Sequence, residues 1–304
     1  ADKTASAGGF DITYTAATHT FDITPTSGIA TVASFQTLLR GVEYNNRTDN
    51  PTAGDRTVTV KVTDAGLDDA ASDGPGDNQL DSNTQVATIT LVPSNDQPVI
   101  TGLDPVTYHE NDINAAPAVI DANIVLTDID SPNFNNGVLS VTGLKANDSV
   151  GILSDSTVRL SGSTVQYYDG SDWVDVGTYT STPGAGGSLQ ISLNANVTTA
   201  VAQSLVEHLT FANSSDDPIQ SRTLSISVND GGAGTTQVAT VDVTIIRDND
   251  APSITGLDAT SPNATLSDKY VQGGSAVVID PNVSLVDPEL GDANRDDWSG
   301  ATLT

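Results

Sequence analysis

Oxygen-bearing side chains crowd two short stretches of this chain. Residues 244–255 read TIIRDNDAPSIT, a strand-like run that ends in Asp248, Asn249 and Asp250, followed by Pro252 and a new strand-like run. Residues 91–101 read LVPSNDQPVIT, a weaker copy carrying Asn95 and Asp96. Both continue as TGLD. Carboxylates and amides alternating at the end of an extended run offer several oxygens to one point. Calcium takes about 6–8 oxygens at roughly 2.3–2.6 Å, so such a run suits it. Two carboxylates about 4 Å apart repel by roughly 4 kcal/mol at an effective dielectric near 20, and a cation converts that repulsion into attraction. Each knot therefore predicts a calcium site at a joint between domains. A solvated acidic linker without a specific ion is the alternative.

The elements that must position these residues recur with the joints. Pro98 and Pro252 align at a spacing of 154 residues, the size of one ordinary domain. TLLRGVEYNNRTDNP (37–51) matches SLVEHLTFANSSDDP (204–218), and RTVTVKVTDAG (56–66) matches RTLSISVNDGG (222–232). VVIDPNVSLVDPE (277–289) matches AVIDANIVLTDID (118–130). Apolar positions fall on apolar positions, so the copies are expected to share a fold.

Period-two alternation dominates. Phe10, Ile12 and Tyr14, then Phe21 and Ile23, predict a strand pair near the start. VEYNN, RTVTVKVTD, QVATITLV, GVLSVTGL, TVRLSG, SLQISLN, TFANSSDDP and QVATVDVTII predict further strands. VQYYDGSDWVDVGTY predicts a hairpin around an Asp-Gly turn. Helical spacing appears twice: at Val32, Phe35, Leu38, Leu39 and Val42, and at Val201, Leu205 and Leu209. The Asp- and Gly-rich span 67–83 predicts a long loop.

Composition narrows the function. The net charge of −28 argues against a nucleic-acid binder that works by phosphate neutralisation, and against docking on an anionic membrane. Of 39 acidic residues only Glu43, Glu110, Glu207 and Glu289 are glutamates, leaving 35 aspartates. Aspartate is the turn-forming, short-armed ligand for hard cations. Cysteine is absent, so core packing or metal must hold the domains together. No apolar run approaches the roughly 18 residues of a membrane-crossing helix. His19, His109 and His208 are scattered without metal-pair spacing. No GxSxG elbow, P-loop or dinucleotide fingerprint is present, and the chain is expected not to be an enzyme. Tyr167, Tyr168 and Trp173 could pack across a hairpin or form a sugar-stacking platform. The second possibility is the rival functional reading, a carbohydrate- or surface-binding module.

The DNDAPSIT joint (248–255) and the strands RTVTVKVTD and RTLSISVND resemble the cadherin-like repeats of giant calcium-dependent bacterial surface adhesins, whose arrays often end in RTX modules. The resemblance covers nearly the whole chain. It implies all-β architecture: tandem Greek-key β-sandwich domains, each with one short helix. It implies Ca2+ ligands from four places. A glutamate near the domain start corresponds to Glu110 in HEND. An acidic turn within the domain corresponds to Asp216, Asp217 or Asp230. The linker supplies Asp248, Asn249 and Asp250, and the next domain supplies Asp287 and Glu289. At the earlier joint the ligands are Asn95 and Asp96 with Asp128 and Asp130. Ser94 stands where Asp248 does, so that joint is expected to bind more weakly. No GGxGxD run occurs, so this segment is not itself an RTX roll.

The expected organisation is the back of one domain over 1–97, a complete domain over 98–251, and the front of the next over 252–304. The chain thus reads as a window on a tandem array or as one subunit of a head-to-tail homopolymer. Its expected partners are neighbouring repeats of the same kind, and its expected place is the secreted, extracellular bacterial surface.

Overall fold

The computed structural model describes residues 3–26, 31–64, 80–256, 272–275, 283–290 and 298–303. The chain divides into two compact units, Ala1–Pro51 and Thr52–Thr304.

In the first unit the alternating residues form an antiparallel meander of β1 (Lys3–Ala7), β2 (Phe10–Thr15) and β3 (Thr20–Pro25). Helix α1 (Val32–Arg40) follows. Thr31 caps it: its hydroxyl oxygen accepts from the Ser34 N–H at 3.2 Å, while Ser34 Oγ accepts from the Thr31 N–H at 2.9 Å. Two orphan donors of the first turn are thereby satisfied. Phe10 is buried, with its ring edge-on to Phe35 of α1 at 5.0 Å. No residue of α1 itself is buried.

The second unit opens with a two-stranded ribbon, β4 (Gly54–Val60) and β5 (Gln85–Leu91). After the first joint come β6 (Val99–Thr101), β7 (Val106–His109), helix α2 (Glu110–Ala115), β8 (Ala118–Val119), β9 (Val125–Thr127), β10 (Val138–Thr142), β11 (Asp148–Ile152) and β12 (Val158–Ser161). Next are β13 (Thr164–Tyr168), β14 (Trp173–Thr182), β15 (Ser188–Leu193), helix α3 (Thr199–Glu207), β16 (Leu209–Asn213), β17 (Ser221–Asn229) and β18 (Val238–Ile246). Past the second joint lie β19 (Ser253–Thr255) and β20 (Ser284–Val286).

An eight-stranded sheet has the order β12-β13-β14-β15-β10-β17-β18-β7, antiparallel except where β7 joins β18. A three-stranded sheet, β11-β16-β8, and the pair β6-β9 accompany it. One hydrophobic cluster joins them. Leu139, Ile191, Leu224, Ile226, Val243 and Ile245 come from the large sheet, Val150 and Phe211 from the small one, and Leu205 from α3. Every second residue of β17 and β18 points into it, as period-two alternation requires.

One ion pair lies inside this core. Arg222 grips Asp148 with two nitrogens, Nε to Oδ2 at 3.1 Å and Nη2 to Oδ1 at 3.0 Å. Asn213 Nδ2 donates to Asp148 Oδ1 at 2.7 Å, and the Lys145 N–H donates to Oδ2 at 2.6 Å. The guanidinium lies 5.3 Å over the Phe211 ring. This network ties β11, β16 and β17 together.

The chain is mostly strand with few helices, as the alternation predicted. Both periodic helices form, as α1 and α3. Residues 98–251 carry an additional helix, α2, so they hold two where one was expected. Its sequence, ENDINA, holds only one large apolar residue, the buried Ile113, and therefore shows no periodicity. VEYNN was expected as a strand, yet Val42–Asn46 are not in one. The matching LTFAN is β16, which has β11 on one side and β8 on the other. A strand needs a neighbour for its backbone groups. The predicted loop at 67–83 falls largely outside the described residues, as does most of 277–283.

Candidate metal centre

The two joints are built alike. After β9, Asp128 folds an Asx turn, its Oδ1 accepting the N–H groups of Asp130 at 3.1 Å and Ser131 at 2.7 Å. After β20, Asp287 does the same for Glu289 at 3.1 Å and Leu290 at 3.0 Å. The linker docks on each turn through one backbone bond. The Asp96 N–H reaches Asp130 Oδ2 at 3.1 Å, and the Asp250 N–H reaches Glu289 Oε2 at 3.3 Å. The turns leave free oxygens: Asp128 Oδ2, Asp130 Oδ1 and Glu289 Oε1 are buried atoms without a hydrogen-bond partner.

At the first joint, Asp230 from the end of β17 completes the cluster. Asp128, Asp130 and Asp230 each place one oxygen within 4.8 Å of the others. Ser131 Oγ donates to Asp230 Oδ2 at 2.6 Å, and Gln97 Nε2 donates to Oδ1 at 2.8 Å. Burial pushes the Asp230 carboxyl up. Hydrogen bonds from Ser131, Gly232, Asn95 and Gln97 outweigh it and hold the group below its ordinary value. Asp128 goes the other way, raised by burial and by the charges of Asp230 and Asp130. Asn95 lies beside the trio, its Nδ2 donating to the Ala233 carbonyl at 3.2 Å. A Cβ on Gly232 would meet its amide, so the Asn95 side chain would have to shift. Asp96 itself is exposed and stands outside the trio.

At the second joint, Glu110, Asp216 and Asp250 each place one oxygen within 4.8 Å of the others. Glu110 is the first residue of α2 and is fully buried. Its Oε2 accepts the Asp248 N–H at 3.2 Å, while Oε1 has no partner. Burial raises the Glu110 carboxyl to about 7; the bond from Asp248 opposes the rise, and the charges of Asp250, Glu289 and Asp216 add to it. Glu289 is raised as well, chiefly by burial. Asp248 closes the N-terminus of α2, its Oδ2 accepting from the Asn111 N–H at 3.1 Å and its Oδ1 lying 3.2 Å from His109 Nδ1. Those bonds, the Asn111 N–H first, hold its carboxyl below the ordinary value.

The structure thus sorts the three candidates for the acidic turn. Asp216 joins the second joint, and Asp230 joins the first, at the other end of β18. Asp217 turns to Arg247, 2.8 Å from its Nε. Asn249 is exposed and donates to the Asp250 carbonyl at 3.1 Å, apart from the trio. Spacing in the chain carried no sign of this division, because Asp216 and Asp230 flank one strand and reach opposite ends of it.

Two oxygens on one ion can be no farther apart than twice the metal–oxygen distance, about 4.8 Å for calcium. Both trios meet that limit. All six donors are carboxylates, the ligand type of hard cations. The aromatic hairpin is a separate feature. Tyr168 pairs with Trp173 across β13 and β14, and Arg159 covers the Trp173 ring at 4.0 Å. That arrangement supports cross-strand packing and takes one ring face from any stacked ligand.

No family model matches the sequence, and no curated protein matches it significantly.

Proposed function

We propose that the chain is a calcium-stiffened spacer: tandem Greek-key β-sandwich repeats whose acidic joints are locked by Ca2+, within a bacterial cell-surface adhesin or extracellular fibre. Its role is mechanical rather than catalytic. The observation that carries this reading is Glu110, fully buried, with one oxygen lacking any partner and Asp216 and Asp250 facing it. A buried carboxylate without a counter-charge is costly, and a divalent ion supplies the missing partner. The ion would bridge three separate places in the chain: the start of α2, the turn after β16 and the linker. It would favour the ordered joint by mass action. Modules of this extracellular kind bind calcium at about 10⁻⁴–10⁻³ M, which suits a protein outside the cell.

Calorimetric titration of chelator-treated protein should show calcium binding that weakens in Glu110→Gln and in Asp250→Asn. Small-angle scattering should show a broader range of interdomain distances in chelator than in calcium. Identical profiles in both, with no heat of binding, would remove the proposal.

A further inference from the structure

The two acidic linkers are fastened by different chemistry. In the first, Gln97 is half-buried, and the next residue, Pro98, is buried. Gln97 Nε2 donates to Asp230 Oδ1 at 2.8 Å and to the Gly232 carbonyl at 3.3 Å. Its Oε1 accepts from Asn229 Nδ2 at 2.8 Å. Both hydrogens of that amide and its oxygen are thus engaged. Two residues earlier, Asn95 Nδ2 donates to the Ala233 carbonyl at 3.2 Å. Between them the Asp96 N–H reaches Asp130 Oδ2 at 3.1 Å. These partners sit at the end of β17, in the connection to β18 and in the turn after β9, all within residues 98–251. The second linker offers other groups at the aligned positions. Ala251 stands where Gln97 does and has no polar side-chain atom. Asn249 stands where Asn95 does, and its Nδ2 turns to the Asp250 carbonyl of its own linker at 3.1 Å. Asp250 gives a carboxylate to the trio with Glu110 and Asp216, whereas the trio Asp128, Asp130 and Asp230 takes no residue from its linker.

We propose that Gln97 and Asn95 latch the first linker to residues 98–251 without any ion, so that residues 95–97 stay docked when calcium is removed. A neutral amide that donates to a carboxylate is attracted to it with no cation present. Clustered carboxylates such as Glu110, Asp216 and Asp250 repel one another until a cation arrives. An ion held by Asp128, Asp130 and Asp230 would join parts of residues 98–251 to each other, and the amides would still carry the linker. Calcium would therefore control the anchorage of the second linker and leave that of the first unchanged. The contrast with the second linker rests on the calcium reading given above; the latch itself does not.

The test is pulsed electron paramagnetic resonance on the whole chain, which has no cysteine of its own to take up label. Nitroxides on Ser94→Cys and Thr178→Cys, both exposed positions, report the first linker against β14. Nitroxides on Ala251→Cys and Thr178→Cys report the second, Ala251 also being exposed. The Ser94 distance distribution should keep its width when calcium is exchanged for chelator. Gln97→Ala should broaden it in both conditions. Gln97 lies outside the hydrophobic cluster, so the circular dichroism of that variant should match the unchanged chain. A Ser94 distribution that broadens in chelator with Gln97 intact, or that ignores Gln97→Ala, overturns the proposal. The Ala251 distribution should broaden in chelator. If it does not, the calcium reading of the second joint falls, while the Ser94 measurements still decide the latch.

Discussion

The molecule writes the same pattern twice and buries it once. RTVTVKV and RTLSISV both form the first strand of an antiparallel ribbon in the same register. In β17 the alternate residues Leu224, Ile226 and Val228 are nearly inaccessible; in and beyond β4 their counterparts Val58, Val60 and Val62 remain partly open. The helices diverge similarly: α3 buries Val201, Ala202, Leu205 and Val206, and α1 buries nothing. Arg222 holds Asp148 in the core, while Arg56 donates to the carbonyls of Thr52, Gly54 and Asp55. Alternation and pairing are thus local properties, present in both copies. Burial is supplied by β6, β10 and β11, which are distant in the chain, and by the neighbouring β16.

The largest effects should come from breaking the finished copy. Asp148→Ala leaves Arg222 buried and uncompensated, at a cost of about 3–5 kcal/mol. Arg56→Ala, at the matching place, should stay within about 0.5 kcal/mol. Leu224→Ala should cost about 2–5 kcal/mol and Val58→Ala well under that. Urea titration followed by circular dichroism measures all four; equal costs within either pair would erase the contrast.

Next in size are the joints. Calcium should raise the melting temperature of the unchanged chain, and Glu110→Gln should weaken binding at the second joint about tenfold, removing roughly 1.4 kcal/mol of that gain. Asp96→Asn, at an exposed position of the first joint, should change it less. Melting scans with and without calcium separate the two.

The pH response sharpens the same contrast. The Glu110 carboxyl lies at about 7 in the fold against an ordinary 4.5. The fold therefore favours its protonated form. In chelator, stability should be greatest below about 4.5 on this account, decline as the pH rises toward 7, and level off above. Glu110→Gln should flatten that decline, as should saturating calcium. Melting scans across pH 4 to 8 read this out; an unchanged slope in the variant would assign the decline to another group. Asp230 carries the opposite sign: its lowered carboxyl adds stability above its ordinary value, lost as the pH falls further. The smallest effect belongs to Asp217→Asn, which breaks a partly exposed pair with Arg247 and should cost about 0–1 kcal/mol by urea titration.

The two acidic linkers stood out in the chain because Asp248–Asp250 and Asn95–Asp96 lie consecutively and recur with Pro252 and Pro98. Glu110, Asp128, Asp130, Asp287 and Glu289 could be named only through a resemblance. Their placement with the linkers follows from Asx turns and the start of α2, features that alternation does not mark. Asp230 is the clearest case: nothing in its spacing separates it from Asp216, and only strand direction sends the two to opposite joints.

Strands β2, β3, β4, β5 and the Tyr168–Trp173 hairpin were written in the residues themselves, because side-chain period and turn chemistry act between near neighbours. The state of VEYNN against LTFAN, the burial of Leu224 against Val58, and the partnerless oxygen of Glu110 were decided in three dimensions. Each depends on which distant backbone or carboxylate arrives beside it, and that is a matter of long-range packing rather than of local pattern.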